Sequence, residues 1–184
     1  MTDFRVVDST TRAATSFLEL VTVRVADPDG GTLTRDVVRH PGAVAVVPLV
    51  GADVVLLRQW RAATGRTLLE IPAGKRDVVG EAPEATAARE LEEEIGRRPG
   101  RLTKLAEFYN SPGFCDEYTH LYLASDLSEA APRHGVTAEE LHMAIEPHPL
   151  DAVPGLIASQ ELIDAKSIIG LLLTRDHLAR RGGR

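Results

Sequence analysis

The sequence is poor in cysteine: of its 184 residues only Cys115 carries a thiol. An internal disulfide framework and a multi-cysteine zinc site are both excluded. Long apolar runs are missing as well, and none approaches the roughly 20 residues that span a bilayer as a helix. Cations are the minority charge, with 21 Lys and Arg against 27 Asp and Glu and a net charge of −6. The basic surplus by which nucleic-acid binders neutralise phosphates is therefore absent. The opening MTDFRVVDST has no basic start followed by an apolar stretch, so no secretory signal is expected. No internal repeat or low-complexity tract interrupts the chain. The remaining composition, 43% apolar and 26% charged, suits one domain, or one domain with a small appendage, large enough to bury a core without staples. A soluble, cytoplasmic protein with neither nucleic acid nor membrane as partner is the expectation.

Residues 17–26 alternate and are rich in β-branched side chains, which predicts a strand. The run from Asp27 to Gly31 is a turn, and Leu33 to Val38 returns as the second arm of a hairpin. Ala43 to Val50 and Val54 to Arg58 read as buried strands of a central sheet. Leu68 to Ile71 is a further short strand. Pro83 to Ile95 is the clearest helix, with proline in its first turn and Gly96 to end it. Strands follow near 102–109 and 118–124, then a polar loop over 125–138 and a strand near 141–146. Ser159 to Leu173 carries helical spacing, and Arg180 to Arg184 reads as a frayed end. His120 and His142 are expected inside strands. The order β-rich, helix, β-rich, helix favours an α+β fold over a doubly wound parallel sheet.

Residues 81–94 contain Glu81, Glu84, Glu90, Glu92, Glu93 and Glu94, with Arg89 the lone cation. At roughly 100° per residue, Glu93 and Glu94 fall within about 60° of Glu90, while Ala88, Leu91 and Ile95 form a separate apolar stripe. The wheel thus predicts a helix that packs by one side and presents carboxylates on another. Like charges at these spacings oppose each other by a few tenths of a kcal/mol per pair. A solvated surface face explains them, and so does a hard divalent cation such as Mg²⁺ or Mn²⁺, for which carboxylate oxygens are preferred ligands. The strand, glycine-bearing loop and helix in succession favour the cation, because Gly74 lets backbone approach a ligand closely.

These residues resemble a known motif. Gly74, Glu81 and the run Arg89-Glu90-Leu91-Glu92-Glu93-Glu94-Ile95-Gly96 are similar to the Nudix box, Gx5Ex7REUxEExGU with U a bulky aliphatic residue. Two departures stand out: six residues separate Gly74 from Glu81, and Arg97 occupies the last aliphatic position. Neither removes an acidic position of the motif. Pro112, sixteen residues after Gly96 within Ser111-Pro112-Gly113-Phe114-Cys115-Asp116-Glu117, resembles the ADP-ribose pyrophosphatase subgroup. Arg58-Gln59-Trp60-Arg61 and Glu70-Ile71-Pro72-Ala73-Gly74 resemble that subgroup's RQYR and EIPAG segments. The likeness runs over about residues 35–175.

The resemblance implies a Nudix fold, with mixed sheets sandwiched between helices over 41–184. Residues 1–40 would form an N-terminal strand region that joins a homodimer. It implies Mg²⁺-dependent hydrolysis of ADP-ribose to AMP and ribose 5-phosphate, with Mn²⁺ as a substitute ion. Another nucleoside diphosphate sugar such as GDP-mannose, or a non-catalytic sensing module, is the alternative. Glu90 and Glu94 would be metal ligands with the Ala73 carbonyl, and Glu93 a metal or catalytic carboxylate beside them. Arg89 would pair with a box glutamate to hold the loop, and Glu81 belongs either to that pairing or to the metal shell. The catalytic base would be Glu139 or Glu140, with Glu117 as a third choice that also suits the substrate pocket. Arg35 and Arg61 would meet phosphate or ribose, where surface salt bridges are the alternative. Trp60 would stack on adenine or else pack in the core. Pro112 and Gly113 would line the substrate pocket.

Overall fold

The most apolar stretch of the chain sets the centre of the larger sheet. A computed structural model describes residues 3–130 and 142–182, and its described residues fall into two compact units. One comprises residues 1–42 and 108–119, the other 43–107 and 120–184.

In the second unit, strand β4 (Ala43–Val50) is buried at six successive positions. A strand covered on both faces reads as a continuous apolar run, and this one is. Its two faces meet different helices. Val44 and Val46 pack with Ala87, Leu91 and Ile95 of helix α1 (Pro83–Ile95) and with Tyr122. Val47, on the other face, lies against Gly170 of the long C-terminal helix, where Ile71 and Leu121 also close in. The alternation of side chains along one strand thus places a helix on either side of the sheet.

The neighbours of β4 follow from this. Strand β5 (Asp53–Arg61) joins it through the Gly51–Ala52 turn, β6 (Arg66–Glu70) pairs with β5, and the three-residue β7 (Ala73–Lys75) pairs with β4. The large sheet runs β12-β5-β4-β10-β9, with β9 at Arg101–Tyr109, β10 at Tyr118–Ser125 and β12 at Ala144–Pro149. Two short strands, β8 (Arg97–Arg98) and β11 (Ser128–Glu129), form a ribbon after α1. A 3-10 turn at Leu150–Ala152 leads into α2 (Val153–Ala158), and α3 (Ala165–Gly182) ends the described chain. The fold is α+β, as expected.

The first unit carries an antiparallel three-stranded sheet, β1 (Arg5–Ala14), β2 (Glu19–Ala26) and β3 (Thr32–Arg39), in that order. The β2–β3 turn is closed by the Asp27 carboxylate, whose Oδ1 accepts the amides of Asp29 and Gly31 at 2.9 Å each. The 111–117 segment is pinned to β3 in the same unit. Val38 donates to the Phe114 carbonyl at 2.7 Å, and the Asp116 carboxylate takes Arg39 and the His40 amide at 2.8 Å each.

Several expectations are corrected. β1 is a strand that the sequence pattern does not predict, because every one of its positions is exposed and its apolar residues show no buried alternation. The C-terminal helix begins at Ala165 and not at Ser159, and it continues through Arg180 and Arg181 to Gly182. Its start is dictated by Asp164, whose Oδ2 accepts the Ser167 amide at 3.0 Å as a cap. His142 lies in a turn before β12 and outside any strand. Among the described residues no helix is long and apolar enough to cross a membrane.

Candidate active site

Helix α1 buries two of the carboxylates that the helical wheel sets apart from its packing side. Pro83 supplies its first turn and Gly96, at φ 65°, ends it in the left-handed conformation that glycine adopts without strain. The buried arc runs through Thr86, Ala87, Glu90, Leu91, Glu94 and Ile95. Ala87, not Ala88, completes the apolar stripe, and two carboxylates share its buried arc. Glu90 is 9% exposed and Glu94 only 4%.

What buries them is the chain at β7. Gly74 lies so close to α1 that a Cβ there would sit 1.9 Å from the Glu90 carboxyl carbon. A residue with a side chain at position 74 would push that carboxylate aside, so glycine is a steric requirement here. One residue earlier, the Ala73 amide donates to Glu94 Oε2 at 2.9 Å. The Ala73 backbone and the Glu90 and Glu94 carboxylates therefore converge on one spot.

Arg89 closes the other side. Its Nη1 meets Glu90 Oε1 at 2.9 Å and Glu93 Oε2 at 3.0 Å, and its Nη2 approaches Glu81 Oε2 at 3.4 Å. Glu81 also accepts from the Thr86 hydroxyl at 2.8 Å, which holds its carboxyl below its ordinary range together with Arg89. Of the two roles open to Glu81, the pairing with Arg89 is therefore the one present. Arg76 donates to the Glu81 carbonyl at 3.3 Å and ties the 75–81 loop, one residue longer than the motif, to the helix start. Glu93 keeps 44% of its side chain in solvent.

Burial pushes the Glu94 carboxyl up to about 8, against the favourable Ala73 amide and with the Glu90 charge adding to the rise. Burial likewise pushes Glu90 up to about 7, with Arg89 opposing and Glu93 reinforcing. Two desolvated acids that resist ionisation are a reservoir of unfavourable energy which a divalent cation relieves. The donors are all oxygen, the preference of Mg²⁺, Mn²⁺ and Ca²⁺. Among the described residues no three His, Cys, Asp or Glu side chains cluster tightly enough to cage an ion alone. The Glu90 and Glu94 carboxylates would supply part of an oxygen shell for a divalent cation, with water completing it.

The other candidates are distributed as follows. Arg61, at the end of β5, gives Nε and Nη2 to the two oxygens of Glu70 at 2.7 Å each. Trp60 is 49% exposed, which removes the core-packing alternative and leaves its indole at the surface. Arg35, Pro112, Gly113 and Glu117 belong to the first unit. Arg35 donates to the Thr34 carbonyl at 2.8 Å. Pro112 lines a pocket of about 240 Å³ with Val37, Tyr109, Phe114, Cys115 and Asp116. Glu117 is half-buried, and its carbonyl accepts the Asn110 amide at 3.1 Å. Glu139 and Glu140 lie outside the described residues.

Three residues of the site's surroundings escaped the sequence reading. Glu70 stands in the sequence as part of a motif segment, and in the fold its carboxylate is buried between Arg61 and Lys166. Lys166 and Ser167 belong to the first turn of α3. The spacing of Asp164 and Ser167, a cap with its partner three residues on, was the available signal.

Comparison with known proteins agrees with this geometry. The NUDIX domain family model matches residues 39–168. The ADP-ribose pyrophosphatase of Bacillus subtilis (strain 168) is 41% identical over 151 residues, covering 82% of this chain and 80% of that protein. The ADP-ribose pyrophosphatase of Mycobacterium tuberculosis (strain ATCC 25618 / H37Rv) is 36% identical over 171 residues, covering 92% and 82%. A crystal structure of an ADP compounds hydrolase superposes with a TM-score of 0.84 at 22% identity, covering 97% of this chain and 96% of that one, a likeness of fold. With its glycine, its arginine and its buried glutamates arranged around one turn of backbone, the chain belongs to the Nudix family of hydrolases.

Proposed function

We propose that the protein hydrolyses the pyrophosphate bond of ADP-ribose to AMP and ribose 5-phosphate, using Mg²⁺, with Mn²⁺ as a substitute. The observation that carries this reading is the pair of buried carboxylates, Glu90 and Glu94, closed against Ala73 and Gly74 in a chain whose close relatives act on ADP-ribose. Glu90, Glu94 and the Ala73 carbonyl would hold the ion, with Glu93 at the rim. When bound, the ion neutralises charge on the phosphoryl oxygens and makes water a stronger acid.

The protein's own part is orientation and proton handling. Arg89 bridges Glu90 and Glu93 through one nitrogen and fixes both, and Glu81 anchors Arg89. Hydrolysis adds a water oxygen to one phosphorus, breaks that phosphorus's bond to the bridging oxygen and releases a proton. A carboxylate takes that proton; Glu139 or Glu140 is our assignment, with Glu117 next. Arg35 and Arg61 supply guanidinium charge to phosphate or ribose, and Trp60 offers an exposed ring for adenine. Pro112, Gly113 and Glu117, which belong to the first unit, are our assignment for further substrate contacts. A cytoplasmic setting suits a chain with one free thiol.

We assign the strand region 1–40 to a homodimer contact, joined to a hydrolase domain over 41–184. Phe4, Val6, Val7, Phe17 and Leu20 are exposed on β1, β2 and their approaches, and β1 is an edge strand of its sheet. Light scattering of the whole chain and of a deletion of residues 1–40 tests this; a monomeric whole chain sinks it.

The function is tested by product analysis of purified protein with Mg²⁺ and ADP-ribose, ADP-glucose, GDP-mannose or diadenosine polyphosphate. Equal amounts of AMP and ribose 5-phosphate from ADP-ribose, with the highest kcat/KM of the panel, are expected. Preferred turnover of GDP-mannose would move the assignment to another nucleotide sugar.

A further inference from the structure

Behind the carboxylates lies a second, buried ionic cluster. Glu70 is 1% exposed. One side of its carboxylate is taken bidentately by Arg61, and Lys166 reaches Oε2 from the first turn of α3. Lys166 also meets Asp164 Oδ2 at 3.0 Å. The next residue of that turn, Ser167, is fully buried and accepts the Ile71 amide on Oγ at 2.8 Å while donating to Asp164. Two successive residues of α3 therefore grip two successive residues of the chain, Glu70 and Ile71. The residue after Pro72 is Ala73, whose amide holds Glu94.

We propose that Lys166 and Ser167 are positioning residues of the active site. They clamp the Glu70–Ile71 segment so that the Ala73 backbone meets Glu94 in a ligand-ready geometry and the Arg61 guanidinium keeps one orientation. This inference rests on the metal-site reading of Glu90 and Glu94. Proline at position 72 makes the segment stiff, so a displacement at Ile71 is transmitted to Ala73 and not absorbed. Lys166 is aimed at two carboxylates of the protein itself, which marks it as a structural clamp.

A charge effect and a clamp predict opposite signs. Lys166 lies close enough to Glu94 for its charge to favour the ionised acid, but as a cation it also repels an incoming metal ion. If charge were its only influence, Lys166→Met would tighten binding of Mn²⁺. Acting as a clamp, its loss weakens Mn²⁺ binding about tenfold, the lower end for partners that orient metal ligands. The measurement is titration of the whole chain with Mn²⁺ alone, followed by the paramagnetic resonance of the free ion. Lys166→Arg, which keeps charge and donors, should restore most of the affinity. Ser167→Ala tests the same clamp with no change of charge, and weaker Mn²⁺ binding is expected there too. In a double-mutant cycle on kcat/KM, Lys166→Met should add little once Glu70 is Gln. Unchanged or tighter Mn²⁺ binding in Lys166→Met and Ser167→Ala, or full additivity in the cycle, would overturn the clamp. A wild-type protein that binds no Mn²⁺ would overturn the metal site beneath it, a distinct result.

Discussion

Glu94→Gln separates the stability of the site from its use. In the folded chain the Glu94 carboxyl is pushed from 4.5 up to about 8, mainly by burial. At 1.36 kcal/mol per pKa unit, ionising it in place costs on the order of 5 kcal/mol more than ionising it in the unfolded chain. The sign follows from proton counts. Between pH 4.5 and about 8 the folded state holds a proton that the unfolded state has released. Rising pH therefore favours unfolding across that window, and the loss is complete once pH passes the folded value. Glutamine keeps an acceptor for the Ala73 amide and removes the ionisation. Without metal, Glu94→Gln should match the wild type near pH 4.5 and exceed it near pH 8.5 by a few kcal/mol. For a chain of this size, about 3 kcal/mol corresponds to a rise in Tm of about 10 °C. Adding Mg²⁺ narrows that gap. A ligand at 100 times its Kd stabilises the wild type by about 2.7 kcal/mol, and the variant should gain little of this. Turnover should fall by orders of magnitude. Urea denaturation with a chelator at both pH values, then with Mg²⁺, checks the whole chain of reasoning. Parallel pH dependence in the two proteins would refute the burial argument, and near-normal turnover would refute the ligand assignment.

Gly74→Ala should expel the Glu90 carboxylate, since the new Cβ would lie 1.9 Å from its carboxyl carbon. Metal affinity should fall by about 10- to 100-fold with a small change in Tm, because the displaced acid gains solvent; Mn²⁺ titration beside a thermal melt checks this. Glu70→Gln addresses the opposite case: burial alone would raise this acid, but Arg61 and Lys166 outweigh it and hold it at about 2. Its stabilisation is present above pH 4.5 and lost as pH falls toward 2, so the variant should be destabilised by about 2–3 kcal/mol at pH 7 and approach the wild type near pH 2. Denaturant curves at pH 7 and pH 3 measure the convergence, and an equal deficit at both would refute it. Of Glu139→Gln and Glu140→Gln, one should lower kcat by about 100- to 10,000-fold with Mn²⁺ affinity unchanged, as befits a base and not a ligand. Two silent variants would pass the role to Glu117.

The limits of reading the chain follow from what each residue depends on. Helix α1 was legible to the residue, Pro83 to Ile95, because its signals are local: proline in the first turn, glycine at the end, strong formers between. β4 was legible because burial on both faces leaves an apolar run that needs no partner to be seen. β1 was not, because an exposed strand carries no alternating pattern, and its pairing with β2 also shifts register at two places. The carboxylates of α1 show a subtler limit. The wheel gave their phase correctly, but the sorting of polar residues to solvent rests on a rule of stability. At Glu90 and Glu94 that rule is broken, and the strand that breaks it enters through Gly74, a residue with no side chain to announce the contact. Motif resemblance reached those two residues because it compares positions and not energies. It passed over Lys166, which meets Glu70 across 96 residues of sequence and belongs to no motif. A contact that distant becomes visible only when the fold brings α3 onto the chain between β6 and β7. The site therefore divides by physical origin: ligands read from a local pattern, and supports that exist only in three dimensions.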